Sequence, residues 1–173
     1  KQYNSLRELL TPSEYRLAWR REDACLWIRA LPGETWFEYK TAVFVNSSID
    51  RIWVTMNELD LQPRYQKMLS EAPVYLGNHS RHLLVTRALI NFLLLKIEII
   101  IEVMRFIDKN FGFMAERIVS DFPMAEDLLP PKSFRNKRVS VDTKNMAFPC
   151  GGGKPGTIML QATKVDAGFR VPE

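Results

Sequence analysis

From residue 74 to residue 165 the chain offers short runs of β-branched and aromatic residues, separated by turn residues, and no amphipathic helix. The predicted strands are 74–76, 82–88, 98–107, 113–120, 138–142, 145–148 and 157–165. The five residues Asp108-Lys109-Asn110-Phe111-Gly112 form a hairpin turn by composition. Within this run, the stretch 83–107 is apolar enough to suggest a membrane span. Arg87, Lys96, Glu98, Glu102 and Arg105 interrupt it. Each charge near a bilayer centre costs roughly 2.5–3.5 kcal/mol, which excludes a single spanning helix.

The first 73 residues mix helix and strand. Thr11-Pro12-Ser13-Glu14 reads as a helix start, and the helix is predicted to run to about Trp19–Arg21, with a shorter helical turn around 6–10. Strands are predicted over 24–31 and 36–45, joined by Pro32-Gly33-Glu34. In the second, Phe37, Tyr39, Thr41, Val43 and Val45 alternate with Glu38 and Lys40. Asn46-Ser47-Ser48 caps a helix from Ile49 to about Leu59, with Ile52, Trp53, Met56 and Leu59 as its apolar stripe. Gln62-Pro63 opens another helix to about Leu69. Two helices followed by a long antiparallel run predict an α+β domain built on one strongly curved sheet. The 46% hydrophobic content serves either a packed core or the lining of a cavity. The sheet's apolar face needs a cover, and the central helices or whatever follows residue 173 are the candidates.

Other classes are disfavoured. A net charge of +4, with scattered basic residues, is too weak for a nucleic-acid partner. Cys25 and Cys150 fit free thiols in a reducing compartment better than a disulfide framework. They stand alone, so no zinc spacing exists and no metal is expected. His79 and His82 flank Ser80-Arg81 as strand-edge residues, and no catalytic constellation surrounds them. Gly151-Gly152-Gly153-Lys154 lacks phosphate-loop spacing and reads as a turn. Neither catalytic residues nor a cofactor are expected. The chain starts at Lys1 without a signal peptide and reads as a piece of a longer protein.

Two features suggest a site. Ile90, Phe92, Leu93, Leu94 and Leu95 occupy an inter-strand position where turn chemistry would place Gly, Asn or Asp. They either fold under the sheet or form an exposed patch that enters a membrane. Arg87 shares a strand face with Leu83 and Val85, and Glu102 shares one with Ile100 and Met104. An Arg87–Glu102 pair inside a cavity would orient a ligand headgroup, and the alternative places both on the solvent face.

These residues, in this order, resemble the START family, the lipid-transfer domains related to steroidogenic acute regulatory protein. Leu31-Pro32-Gly33 and the following strand resemble the family's early hairpin. The helix through Ile49, Trp53 and Leu59 matches its sheet-packing helix. Lys96-Ile97-Glu98 lies where the family has Arg-Asp, and Arg138 matches its Val-Arg. Ser120-Asp121-Phe122-Pro123 is similar to a strand end. Residues 165–172, Val-Asp-Ala-Gly-Phe-Arg-Val-Pro, are similar to Val-Asp-Pro-Lys-Gly-Trp-Ile-Pro.

The resemblance implies a helix-grip fold and a non-enzymatic, cytoplasmic, peripherally membrane-associated protein. It would bind a phospholipid, sterol or sphingolipid in an apolar cavity. Leu83, Val85, Arg87, Ile100, Glu102 and Met104 would line that cavity. Ile90, Phe92, Leu93, Leu94, Leu95 and Phe169 would dock transiently to the membrane, Phe169 falling on a Trp that faces the membrane in ceramide-transfer relatives. Glu102 falls where sterol-binding members carry a cavity Arg. The chain ends where the family's gripping C-terminal helix begins, so a single, truncated domain is expected, prone to self-association. A ligand-sensing regulatory module and an enzyme of a related helix-grip family are the other readings.

Overall fold

A computed structural model describes residues 14–30, 35–67, 69–80, 83–92, 95–108, 110, 112–120, 129–131, 136–151, 155–166 and 168. Ten strands build one sheet: β1 Arg16–Arg20, β2 Ala24–Ala30, β3 Trp36–Val45, β4 Val74–Ser80, β5 Leu83–Phe92, β6 Leu95–Asp108, β7 Phe113–Val119, β8 Asn136–Arg138, β9 Ser140–Pro149 and β10 Thr157–Asp166. The order is β1-β2-β3-β10-β9-β7-β6-β5-β4. Every pairing along this path is antiparallel, and the short β8 lies parallel to β6. Between β3 and β4 come α1 Ile49–Asn57, a 3-10 turn Leu59–Leu61 and α2 Gln62–Tyr65. This is the curved antiparallel α+β architecture expected from the sequence. No helix follows β10 among the described residues.

The strand register sorts side chains onto two faces, because directly paired residues point the same way. One face carries α1 and is called inner below. Ser48 caps α1, its Oγ accepting from Arg51 N–H. The helix is tied down at both ends. Thr157 Oγ1, fully buried, donates to the Ser47 carbonyl at 2.8 Å. At the far end the Arg105 guanidinium lies 5.5 Å from the Trp53 ring centroid and donates to Asn57 Oδ1 and the Met56 carbonyl. Along β9 the inner residues Thr143, Asn145 and Ala147 are buried, and their outer neighbours are half-buried. The β3 alternation holds: Phe37 and Tyr39, on the inner face, stack at 6.4 Å.

Four expectations change. The helix predicted through residue 21 gives way to β1, where Leu17 pairs with Trp27 and Trp19 with Leu26. Its start signal at 11–13 lies outside the described residues. A cap marks where a helix can begin, but the free edge of β2 offers residues 16–20 a hydrogen-bonded ladder. The apolar loop 90–95 is mostly strand. Pairing continues to Phe92 opposite Leu95, and only residues 93–94 connect the strands; they lie outside the described residues. The strands predicted over 138–142 and 145–148 divide elsewhere: β9 runs unbroken through Thr143 and Lys144, while Arg138 belongs to β8. Finally, β8 adds a parallel pairing to a sheet read as antiparallel.

Gly156 shows local necessity. Its φ is +125°, and a Cβ there would stand 2.6 Å from the Phe44 ring. Only glycine lets the turn before β10 fold against β3.

Candidate functional site: two buried ion clusters on opposite faces of the sheet

The six residues predicted to line a cavity occupy neighbouring positions in the β5–β6 ladder. In the ladder Leu83 pairs with Met104, Val85 with Glu102 and Arg87 with Ile100, and Val85, Arg87, Ile100, Glu102 and Met104 share one face. That face is opposite the one bearing α1. Val85 and Ile100 are buried there. The partner of Arg87 is Glu98, one step along the same face: Arg87 Nε donates to Glu98 Oε1 at 2.7 Å. Glu102 sits across from Val85. The strand pairing places Glu98 diagonally from Arg87, within reach of its long side chain.

Glu98 is the centre of a three-residue cluster. It is 1% exposed. Arg138 donates from Nε and Nη2 to Oε2, at 2.9 and 2.7 Å, and its Nη2 also reaches the Pro130 carbonyl. The parallel register of β8 brings Arg138 directly beside Glu98. Both carboxylate oxygens are therefore satisfied. Burial pushes the Glu98 pKa up, but the hydrogen bonds and charges of Arg87 and Arg138 outweigh it and hold the carboxyl below its ordinary value of 4.5. The sequence contained both halves of this pair without showing that they meet.

The inner face holds a second cluster that the sequence reading missed. Thr41, Gln161, Asn145, Glu116 and Arg105 form one continuous cross-strand row over β3, β10, β9, β7 and β6. Glu116 is 3% exposed, and Arg105 Nε donates to its Oε1 at 2.6 Å. Asn145 Nδ2 donates to Glu116 Oε2 at 2.7 Å. Thr41 Oγ1 donates to Gln161 Oε1 at 3.4 Å. In the adjoining row the buried Thr143 and Thr163 hydroxyls bond one another at 3.0 Å. An apolar row of Val43, Met159, Ala147 and Met114 flanks the belt on the other side, and Tyr39, Ile118 and Val103 are the apolar members of the row that holds Thr143 and Thr163. One signal was available in the sequence. Glu116 falls in the alternation between Met114 and Ile118, on the apolar side of its strand.

A third cluster lies on the outer face. Tyr15 Oη and Arg29 both donate to Glu38 Oε2, and Arg29 also donates to Glu14. Burial, then the bond to Glu38, pushes the Tyr15 phenol up to about 12. For Glu38, burial acts upward but Tyr15 and Arg29 hold the carboxyl below 4.5. A lowered folded pKa contributes stability that is present above the unfolded value and lost as pH falls through the folded one. For Glu98 and Glu38 the loss therefore begins below about pH 4.5. Melting temperature measured between pH 7 and pH 3 is expected to hold down to pH 5 and then to fall. A stability that stays level to pH 3 would contradict these assignments.

Of the predicted docking residues, Ile90 is half-buried in β5, opposite Ile97 and bridged to Leu69. Phe92 and Leu95 close the β5–β6 ladder. Leu93, Leu94 and Phe169 lie outside the described residues. No helix among the described residues is long and apolar enough to cross a membrane. Among the described residues no group of His, Cys, Asp and Glu has the arrangement of a metal site. Cys25 and Cys150 are free thiols.

The architecture is the START, or helix-grip, fold. Human StAR-related lipid transfer protein 5 superposes with a TM-score of 0.79 at 13% identity, over 99% of this chain and 81% of that one. Human STARD10 gives 0.78 at 12% identity, over 98% and 68%. A STAR-related lipid transfer protein from Xanthomonas axonopodis gives 0.72 at 12% identity, over 92% and 85%. No protein-family profile matches the sequence, and no curated protein matches it. The likeness is one of fold.

Proposed function

We propose that this chain is a non-enzymatic carrier that takes up a lipid against the inner face of its sheet and moves it between membranes on the cytoplasmic side. The observation that carries the reading is that inner face. One apolar row, Val43, Met159, Ala147, Met114 and Ile107, runs across five strands, and the charges in the polar row beside it, Arg105 and Glu116, neutralise one another. Such a surface suits lipid tails, whose transfer out of water contributes about 25 cal/mol per Å². Two of the solved proteins of the same fold are lipid transfer proteins, which favours the same reading.

The tip of the β5–β6 hairpin, with Phe92, Leu93, Leu94 and Leu95, is the membrane-docking element, together with Phe169. Ile90, held in the ladder, supports the hairpin from behind. Val85, Arg87, Ile100, Glu102 and Met104 lie on the other face, where the Glu98 cluster braces the strands leading to this tip, and Leu83 pairs with Met104 in the same ladder.

The test is transfer of lipid between donor and acceptor vesicles, with mass spectrometry of lipid retained by the re-isolated protein. Uptake and transfer above a protein-free control are expected. Uptake without transfer would favour a ligand-sensing module, and absence of any retained lipid would remove the carrier reading.

A further inference from the structure

The inner row contains one buried group whose hydrogen-bonding capacity is unspent. Asn145 is 8% exposed. Its Nδ2 donates to Glu116 Oε2, and the carboxylate, paired with Arg105, can only accept. That bond settles which end of the amide is nitrogen. Oδ1 is thereby left as a buried acceptor with no partner. Buried acceptors are almost always paired, so a specific orphan calls for a missing donor.

The neighbouring side chains do not supply it. Thr143 and Thr163 are engaged with each other. Gln161 accepts from Thr41 through Oε1, and its amide NH2 belongs to the residue directly opposite Asn145. The other orphaned oxygen, Asp142 Oδ1, lies on the outer face of the sheet, away from this row.

We propose that Asn145 Oδ1 receives the hydroxyl of a lipid whose polar end is uncharged, an inference that rests on the lipid-carrier reading above. A hydroxyl both donates and accepts: it donates to Asn145 Oδ1 and accepts from the Gln161 amide. A phosphodiester offers only acceptors and would face an acceptor oxygen beside a carboxylate. Arg105 is the one cation placed on the inner face of β3, β10, β9, β7 and β6, and it is already paired with Glu116. A quaternary ammonium has no N–H to donate. The matching chemistry is a hydroxyl on an apolar skeleton, as in a sterol, a diacylglycerol or a ceramide.

Phosphatidylcholine vesicles doped in separate arms with cholesterol, dioleoylglycerol or a ceramide, offered to the full 173-residue chain, distinguish these sources. At least one hydroxyl lipid is expected to be enriched about tenfold over phosphatidylcholine in the extracted fraction. Its methyl ether should be extracted about tenfold less, as expected when a buried acceptor loses its donor. Asn145→Leu should abolish the discrimination between alcohol and ether. Equal extraction of the ether by the wild type overturns the inference even if Asn145→Leu does not fold. Preference for phosphatidylcholine overturns it while leaving the carrier reading intact. Extraction of no lipid removes both.

Discussion

Replacing Glu98 with Ala is expected to lower the melting temperature by about 6–20 °C. Glu98 is 1% exposed and accepts from Arg87 at one oxygen and Arg138 at the other. Glu98→Ala leaves two partly buried guanidinium groups facing each other without their anion. Breaking a buried pair in this way destabilises by about 3–5 kcal/mol. In a domain this size each kcal/mol moves the midpoint by about 2–4 °C. The cluster also holds β8 against β6, the strand that enters the hairpin tip, so the loss reaches beyond one contact. Arg117→Ala is the control. The Arg117–Asp142 pair is 3.6 Å apart and both side chains are about half exposed, so its removal should change stability by less than about 1 kcal/mol. Thermal melts of the two variants side by side decide the matter. A Glu98→Ala shift no larger than that of Arg117→Ala would show the cluster to be incidental.

The second large effect concerns membrane docking. Phe92→Asp together with Leu94→Asp is expected to weaken liposome binding at least a hundredfold. Burying a Phe or Leu side chain contributes about 1.5–3 kcal/mol, so removing two subtracts about 3–6 kcal/mol from the partition free energy. Each added carboxylate opposes insertion further. The fold should survive, because Phe92 closes the β5–β6 ladder at its end and Leu94 lies in the connection beyond it. Co-sedimentation with vesicles gives the binding, and circular dichroism reports the fold. Folded double-mutant protein that binds vesicles like the wild type would remove the docking assignment. Exposed Asn91 and Lys96 flank the tip, which limits how deep the hairpin inserts to its last few residues.

Much of the architecture was legible in the sequence because strand periodicity is local. The alternation in residues 36–45 and the turn at 108–112 rest on neighbours in the chain, and β3 and the β6–β7 hairpin form there. The cap at Ser48 likewise identified α1. The helix expected through residue 21 did not appear, because pairing with β2 outweighs a start signal.

The site is a different matter. Lys96-Ile97-Glu98 and Arg138 carried the family resemblance separately, forty residues apart. Only the parallel register of β8 joins Glu98 to Arg138. Arg87 and Glu102 share a face as expected, yet a one-step diagonal gives Arg87 its bond to Glu98.

By itself, the sequence determined an α+β domain dominated by antiparallel strands, because composition, alternation and turns act over a few residues. The tertiary structure alone decided which charges meet, which face α1 covers, and that Arg105, Glu116 and Asn145 align in one row. Those relations depend on register between strands distant in the chain, and a shift of one residue would send every side chain to the opposite face.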